Sequence, residues 1–108
     1  MEALETLREF NTGKRVLVTP GMVELGAVEA AQNEAFGARA ARVCDYVVLV
    51  GPKQTRAILR GLEREQFPRE KISIVRDLTE ATAKLQHIVQ AGDVVLFEND
   101  LPDLYAEA

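Results

Sequence analysis

A three-layer α/β domain, with a small parallel sheet covered by helices on both faces, is the fold class that this 108-residue sequence predicts. Three observations carry the expectation. Short apolar runs end in a Gly/Pro or polar break and give way to helical patterns, in the alternation of a sheet wound with crossover helices. The runs are continuously apolar, as strands buried on both faces are. Right-handed crossovers then bring the carboxyl ends of four strands, at Pro20-Gly21, Gly51-Pro52, Arg76-Asp77 and Glu98-Asn99, to one edge of the sheet. That edge is where open sheets bind ligands.

The elements follow in order. Leu4, Leu7 and Phe10 recur at helical spacing between Glu2 and Phe10, and Asn11-Thr12-Gly13 stops that helix. Val16-Leu-Val reads as a buried strand. From Ala27 to about Val43 the pattern is helical, with Val28, Ala31, Ala35 and Ala38 at helical spacing and Glu29, Glu34, Arg39 and Arg42 left for the solvent side. Tyr46-Val-Val-Leu-Val50 is the clearest strand, broken by Gly51-Pro52 before a helix that puts Thr55, Ile58, Leu59 and Leu62 on one face. Phe67-Pro68 stops it. Lys71-Ile-Ser-Ile-Val75 is the next strand. A helix to about Ala91 follows, with Asp77 or Thr79 as its N-cap and Leu78, Thr82, Leu85 and Val89 facing inward. Gly92 suits a left-handed C′ position, Val94-Val-Leu-Phe97 is the last strand, and residues 98–105 trail into a turn with a short terminal helix.

Bulk properties narrow the function. One domain spans residues 1–108, with 47% hydrophobic and 28% charged residues, as in ordinary soluble globular proteins. A net charge of -4 gives no electrostatic footprint for a nucleic acid. No apolar run has the length of a membrane span, and the amphipathic, acidic start lacks a signal peptide's pattern. A single cysteine, Cys44, fits a reducing cytoplasmic setting, and its apolar neighbours make it a packing residue.

The motifs with chemical content are few. Gly13-Lys14 is not a phosphate cradle, because Arg8 stands where a P-loop needs its first glycine and Arg15 where it needs Ser or Thr. No Gly-x-Gly-x-x-Gly follows any strand. His87 lies off the inward stripe of its helix and reads as a surface residue. Glu98, Asp100 and Asp103 follow the last strand, where carboxylates attract an ammonium group or a hard cation, or else form a solubilising turn. Glu24 carries the same ambiguity, as a helix cap or a group projecting into the crevice.

Several of these stretches resemble one family. Pro20-Gly-Met-Val-Glu-Leu-Gly26 is similar to the Gly-Asp-Met-x-Glu-Leu-Gly signature in the C-terminal domain of Mur ligases, in the branch that adds D-alanyl-D-alanine. Asp45-Tyr-Val-Val-Leu-Val-Gly51 resembles that domain's central strand and Gly92-Asp-Val-Val-Leu-Phe97 its Gly-Asp-x-Val-Leu-Val strand. Met1-Glu-Ala-Leu-Glu-Thr-Leu resembles the helix after the family's Asp-x-Tyr-Asn-Ala-Asn-Pro motif, so the domain's first strand would lie before Met1. Co-linearity over essentially the whole chain is more specific than any one motif. The departures lie at the carboxyl edge: Pro20 and Gly21 replace Gly and Asp, Asn33 replaces a frequent His, and Glu98-Asn-Asp-Leu101 replaces a basic Lys-Gly-Ser-Arg loop. They point to a divergent subfamily.

The resemblance implies a Rossmann-like glutamate-ligase domain of an ATP-dependent amide ligase in peptidoglycan precursor synthesis. In full-length relatives a central domain holds ATP and Mg2+, a substrate carboxylate becomes an acyl phosphate, and an amine attacks it. This domain closes over the site and helps to position ATP and the amine, holds no cofactor on its own, and is not catalytic alone. Gly21, Met22, Glu24, Asn33, Glu98, Asn99 and Asp100 are the residues expected to face the substrate or the central domain. The partners expected are that central ATP-binding domain, an amine or amino-acid substrate and, through a sheet edge left open by the missing strand, a second copy of the chain. A stand-alone, non-catalytic binding or regulatory module with the same fold is the alternative.

Overall fold

The computed structural model describes Leu4, residues 13–21 and residues 27–98. The expected terminal helix at the end of the chain and, apart from Leu4, the first helix lie outside the described residues. Within them the chain runs β1 (Arg15–Thr19), α1 (Ala27–Val43), β2 (Tyr46–Val50), α2 (Arg56–Arg64), a 3₁₀ turn (Arg69–Lys71), β3 (Ile72–Val75), α3 (Leu78–Ile88) and β4 (Val94–Phe97). The four strands form one sheet in the order β3-β2-β1-β4, and every neighbouring pair is parallel. The expected fold class is what the structure shows.

The strand order determines where the helices go. The chain steps outward from β1 to β2 to β3 with α1 and α2 as crossovers, then returns through α3 to place β4 on the far side of β1. Right-handed crossovers in opposite directions put their helices on opposite faces. One face packs Leu17, Val47, Leu49 and Ile72 against Phe36, Val43, Ile58, Leu62 and Leu4. The other packs Val18, Val48 and Val75 against Ala81, Leu85 and Ile88 of α3.

Two helices present faces other than those the sequence predicts. On α1, Ala38 is buried as expected, but Ala31 and Ala35 are exposed, and the buried stripe runs through Asn33, Phe36, Ala40 and Val43. Alanine spacing misled because α1 packs on α2 as well as on the sheet, and Phe36 fills the junction. The close approach is made by glycines: a Cβ on Gly37 would lie 2.2 Å from the Ile58 carbonyl oxygen, and one on Gly61 2.0 Å from that of Glu34. On α3, Leu78 is 58% exposed and Thr82 is exposed, and the inward residues are Ala81, Leu85 and Ile88 at i, i+4 and i+7. The cap explains the shift. Asp77 Oδ1 accepts from Glu80 N–H at 2.9 Å, which makes Leu78 the first helical residue and leaves it at the rim.

Boundaries move slightly. α3 ends at Ile88, with Val89 as its extended C-cap, so Gly92 (φ 96°) serves the turn into β4 instead of the helix end. β3 starts at Ile72 because Arg69–Lys71 form the 3₁₀ turn.

The amino ends of the strands are closed by two aspartates. Asp45 Oδ2 accepts the Arg15 N–H at 2.8 Å, and Asp93 Oδ1 accepts the Lys14 N–H at 2.8 Å. Each aspartate precedes a strand flanking β1, so β1 is held on both sides where it begins. Asp93 also accepts from Gln90 N–H at 2.8 Å and pairs with Lys14 Nζ at 2.9 Å. These partners, the Lys14 hydrogen bond first, hold its carboxyl down at about 2.

Candidate functional site

At the opposite end of the sheet lies an open cleft of about 300 Å³ lined by Val18, Pro20, Val50, Leu78, Phe97 and Glu98. It sits over the carboxyl ends of β1, β2 and β4, beside the first residue of α3. β1 and β4 are the strands between which the winding reverses, so the cleft occupies the topological switch point of the sheet. Its walls are apolar, and Leu78 and Phe97 keep more than half their surface in contact with solvent, at 58% and 53%. Glu98 is the acidic residue of the lining, and its backbone N–H donates to the Val18 carbonyl at 2.8 Å, which extends the β1–β4 pairing by one residue.

Three of the expected site residues are described. Gly21 stands at the end of β1 with φ +87°, a conformation L side chains rarely adopt. Its N–H donates to Thr19 Oγ1 at 3.0 Å, and a Cβ there would meet the Gln54 carbonyl oxygen at 3.1 Å and Asn33 Oδ1 at 3.5 Å. Asn33 is wholly buried on α1, beneath the Gly21 turn. Gly21 and Asn33 are therefore brought together under the β1 turn, while Glu98 lines the cleft. Met22, Glu24, Asn99 and Asp100 lie outside the described residues.

Nothing in the sequence marks the apolar wall as a site. Leu78 is assigned inward by periodicity, and Phe97 reads only as the end of a buried strand. The usable signal is position, since both fall at carboxyl-edge junctions where solvent contact is normal. Gln54 carries no sequence signal either. Its Nε2 donates to the Pro20 carbonyl at 3.1 Å and the Val50 carbonyl at 3.3 Å, which ties the ends of β1 and β2.

Other titratable groups stand apart from the cleft. Cys44 is buried at the amino end of β2, and burial, with Asp45 adding to it, pushes its thiol up to about 12, so it is a packing residue and not a nucleophile. His87 is exposed on α3. Arg76 and Glu80 pair at 2.9 Å at the start of α3, where the hydrogen bonds from Arg76 lower the Glu80 carboxyl, and an exposed pair of this kind adds little stability. Among the described residues no group of three or more His, Cys, Asp or Glu could hold a metal ion. No described helix is long and apolar enough to cross a membrane. Among the described residues, the cleft lining holds no cationic side chain for a nucleotide's phosphates and no carboxylate cluster for Mg2+, so neither is fitted to these residues.

Comparison with known proteins is consistent with this geometry. The family described as Mur ligase, glutamate ligase domain, matches residues 1–98. UDP-N-acetylmuramoylalanine--D-glutamate ligase from Hydrogenovibrio crunogenus is 34% identical over 95 residues, which cover 88% of this chain and 19% of that protein. The chain thus spans about a fifth of the length of the curated relative it matches.

Proposed function

The chain belongs to the Mur ligase family, as a glutamate ligase domain, and from that premise we propose that it serves as the C-terminal domain of a cytoplasmic, ATP-dependent amide ligase in peptidoglycan precursor synthesis. In this reading a central domain of the parent protein carries ATP and Mg2+ and forms the acyl phosphate. This domain presents its carboxyl edge to that centre and holds the incoming amine. It does not catalyse alone.

The observation that carries the reading is the cleft at the switch point. It places the end of the signature-bearing strand and the start of the segment after β4 on one edge. Its chemistry also narrows the amine. Val18, Pro20, Val50, Leu78 and Phe97 offer contact to an apolar body, and Glu98 adds an acidic residue to the lining. The relative named above acts, by its name, with D-glutamate. An acidic rim over apolar walls favours here an amine with an apolar body over a dicarboxylate.

The test is steady-state kinetics of the intact ligase with Glu98→Ala and Asp100→Ala. A raised amine KM at nearly constant kcat is expected. Unchanged kinetics would remove both residues from the site, and the absence of ligase activity with any amine would favour a stand-alone binding module.

A further inference from the structure

The β1–β2 ladder pairs Val16 with Tyr46 and continues to Thr19 with Leu49, so the next rung in register would pair Pro20 with Val50. That rung lacks a donor, because Pro20 has no N–H. The Gln54 side chain fills the gap: its amide reaches the Pro20 oxygen at 3.1 Å and the Val50 oxygen at 3.3 Å. A primary amide carries two N–H donors, which matches two carbonyl acceptors. A backbone function at the end of a parallel pair is thus taken over by a side chain from the start of the next crossover.

What this side chain holds matters for the cleft. Pro20 and Val50 are two of the cleft's lining residues, and Gly21, the next residue along from Pro20, is gripped from three sides. Thr19 Oγ1 accepts its N–H, and Asn33 Oδ1 and the Gln54 carbonyl close the space that a Cβ would enter. Thr19, Asn33 and Thr55 are all buried polar residues around this turn, and Thr55 Oγ1 donates to the Gly51 carbonyl at 2.6 Å. Gln54 differs from them in being exposed, so its removal leaves the core packing intact.

We propose that Gln54 is a positioning residue that latches the Pro20–Gly21 turn to the end of β2 and so sets the wall against which the ligase holds its amine substrate. The role of the latch in substrate binding rests on the function proposed above; the latch itself does not.

The test uses two variants. Gln54→Ala removes both donors. Gln54→Glu keeps the length but sets a carboxylate against two carbonyl oxygens, so it is expected to be worse than Ala, an order that a surface residue of no consequence would not give. In the full 108-residue chain, amide hydrogen exchange of Gly21, whose N–H is held by Thr19 Oγ1, is expected to accelerate roughly tenfold in the Ala variant, because opening of the turn is no longer opposed by about one net hydrogen bond from Gln54, and further in the Glu variant. Exchange at Val48 and Leu49 should not change. Equal Gly21 protection in all three proteins would overturn the latch. In the intact ligase the amine KM should rise in the same order, roughly tenfold for Ala, with kcat within about twofold. Faster Gly21 exchange with an unchanged KM would overturn the substrate role, whereas a wild-type ligase with no activity would count against the proposed function and leave the exchange result standing for the latch.

Discussion

The two ends of the sheet are built on different principles. At the amino end, carboxylates close the structure: Asp45 and Asp93 each take a backbone N–H from the start of β1. At the carboxyl end the strands stop at a proline, two glycines of positive φ and an apolar cleft with exposed Leu78 and Phe97. One end spends its polar groups on holding strands together, and the other leaves apolar surface for something else to cover. In an open parallel sheet stability and recognition can therefore be altered separately.

Changes can break or sharpen that contrast. The largest effect should come from Gly37→Ala, which strikes the α1–α2 contact that both ends share. Its Cβ would fall 2.2 Å from a backbone oxygen, so a loss of about 3 kcal/mol or more is expected by urea denaturation, with both ends melting together.

Next comes the closed end. Asp93→Asn should lower the Tm by several degrees, and the deficit should depend on pH. Its carboxyl titrates at about 2 in the folded chain against an ordinary 3.8, so its contribution is fully present above about pH 4 and is lost as pH falls through about 2. The gap in urea midpoint between wild type and variant should shrink over that window, and a constant gap would mean that the carboxylate's charge is not what holds Lys14.

Smallest in stability is Phe97→Ser at the open end. With Phe97 53% exposed, the change is expected to fall within about 1 kcal/mol, yet it should raise the KM of the intact ligase by removing one wall of the cleft. A large loss of stability with normal binding would erase the division between the two ends.

Much of this was legible in the sequence. Strand runs such as Tyr46–Val50 and breaks such as Gly51-Pro52 announce themselves, because a strand covered on both faces must be apolar throughout. The N-cap of α3 was readable to within two residues, Asp77 or Thr79, since the side-chain chemistry is local, and the structure uses Asp77. Helix faces were not. Ala31 and Ala35 satisfy the same spacing as a buried stripe, and only the tertiary choice to seat Phe36 between α1, α2 and the sheet decides between them. The cleft was half legible. Its location follows from winding rules and family signature, but its apolar wall depends on where α3 begins relative to β4, and the Gln54 bridge depends on a register that no local pattern reveals.

The order β3-β2-β1-β4 has a consequence for how the chain folds. The contact that seats β1 beside β2 spans 30 residues, and the one that seats it beside β4 spans 79. Closing the longer loop costs about 0.9 kcal/mol more chain entropy, so β1 and β2 should join first and β4 arrive late. φ-values near zero at Val95 and Leu96, with higher ones at Val47 and Leu49, are expected from folding kinetics of alanine variants, and the reverse ranking would reject that order. Until β4 docks, the central strand has one unpaired flank and the cleft has only one side. In that order of folding, a newly made chain would complete the cleft only at the last step.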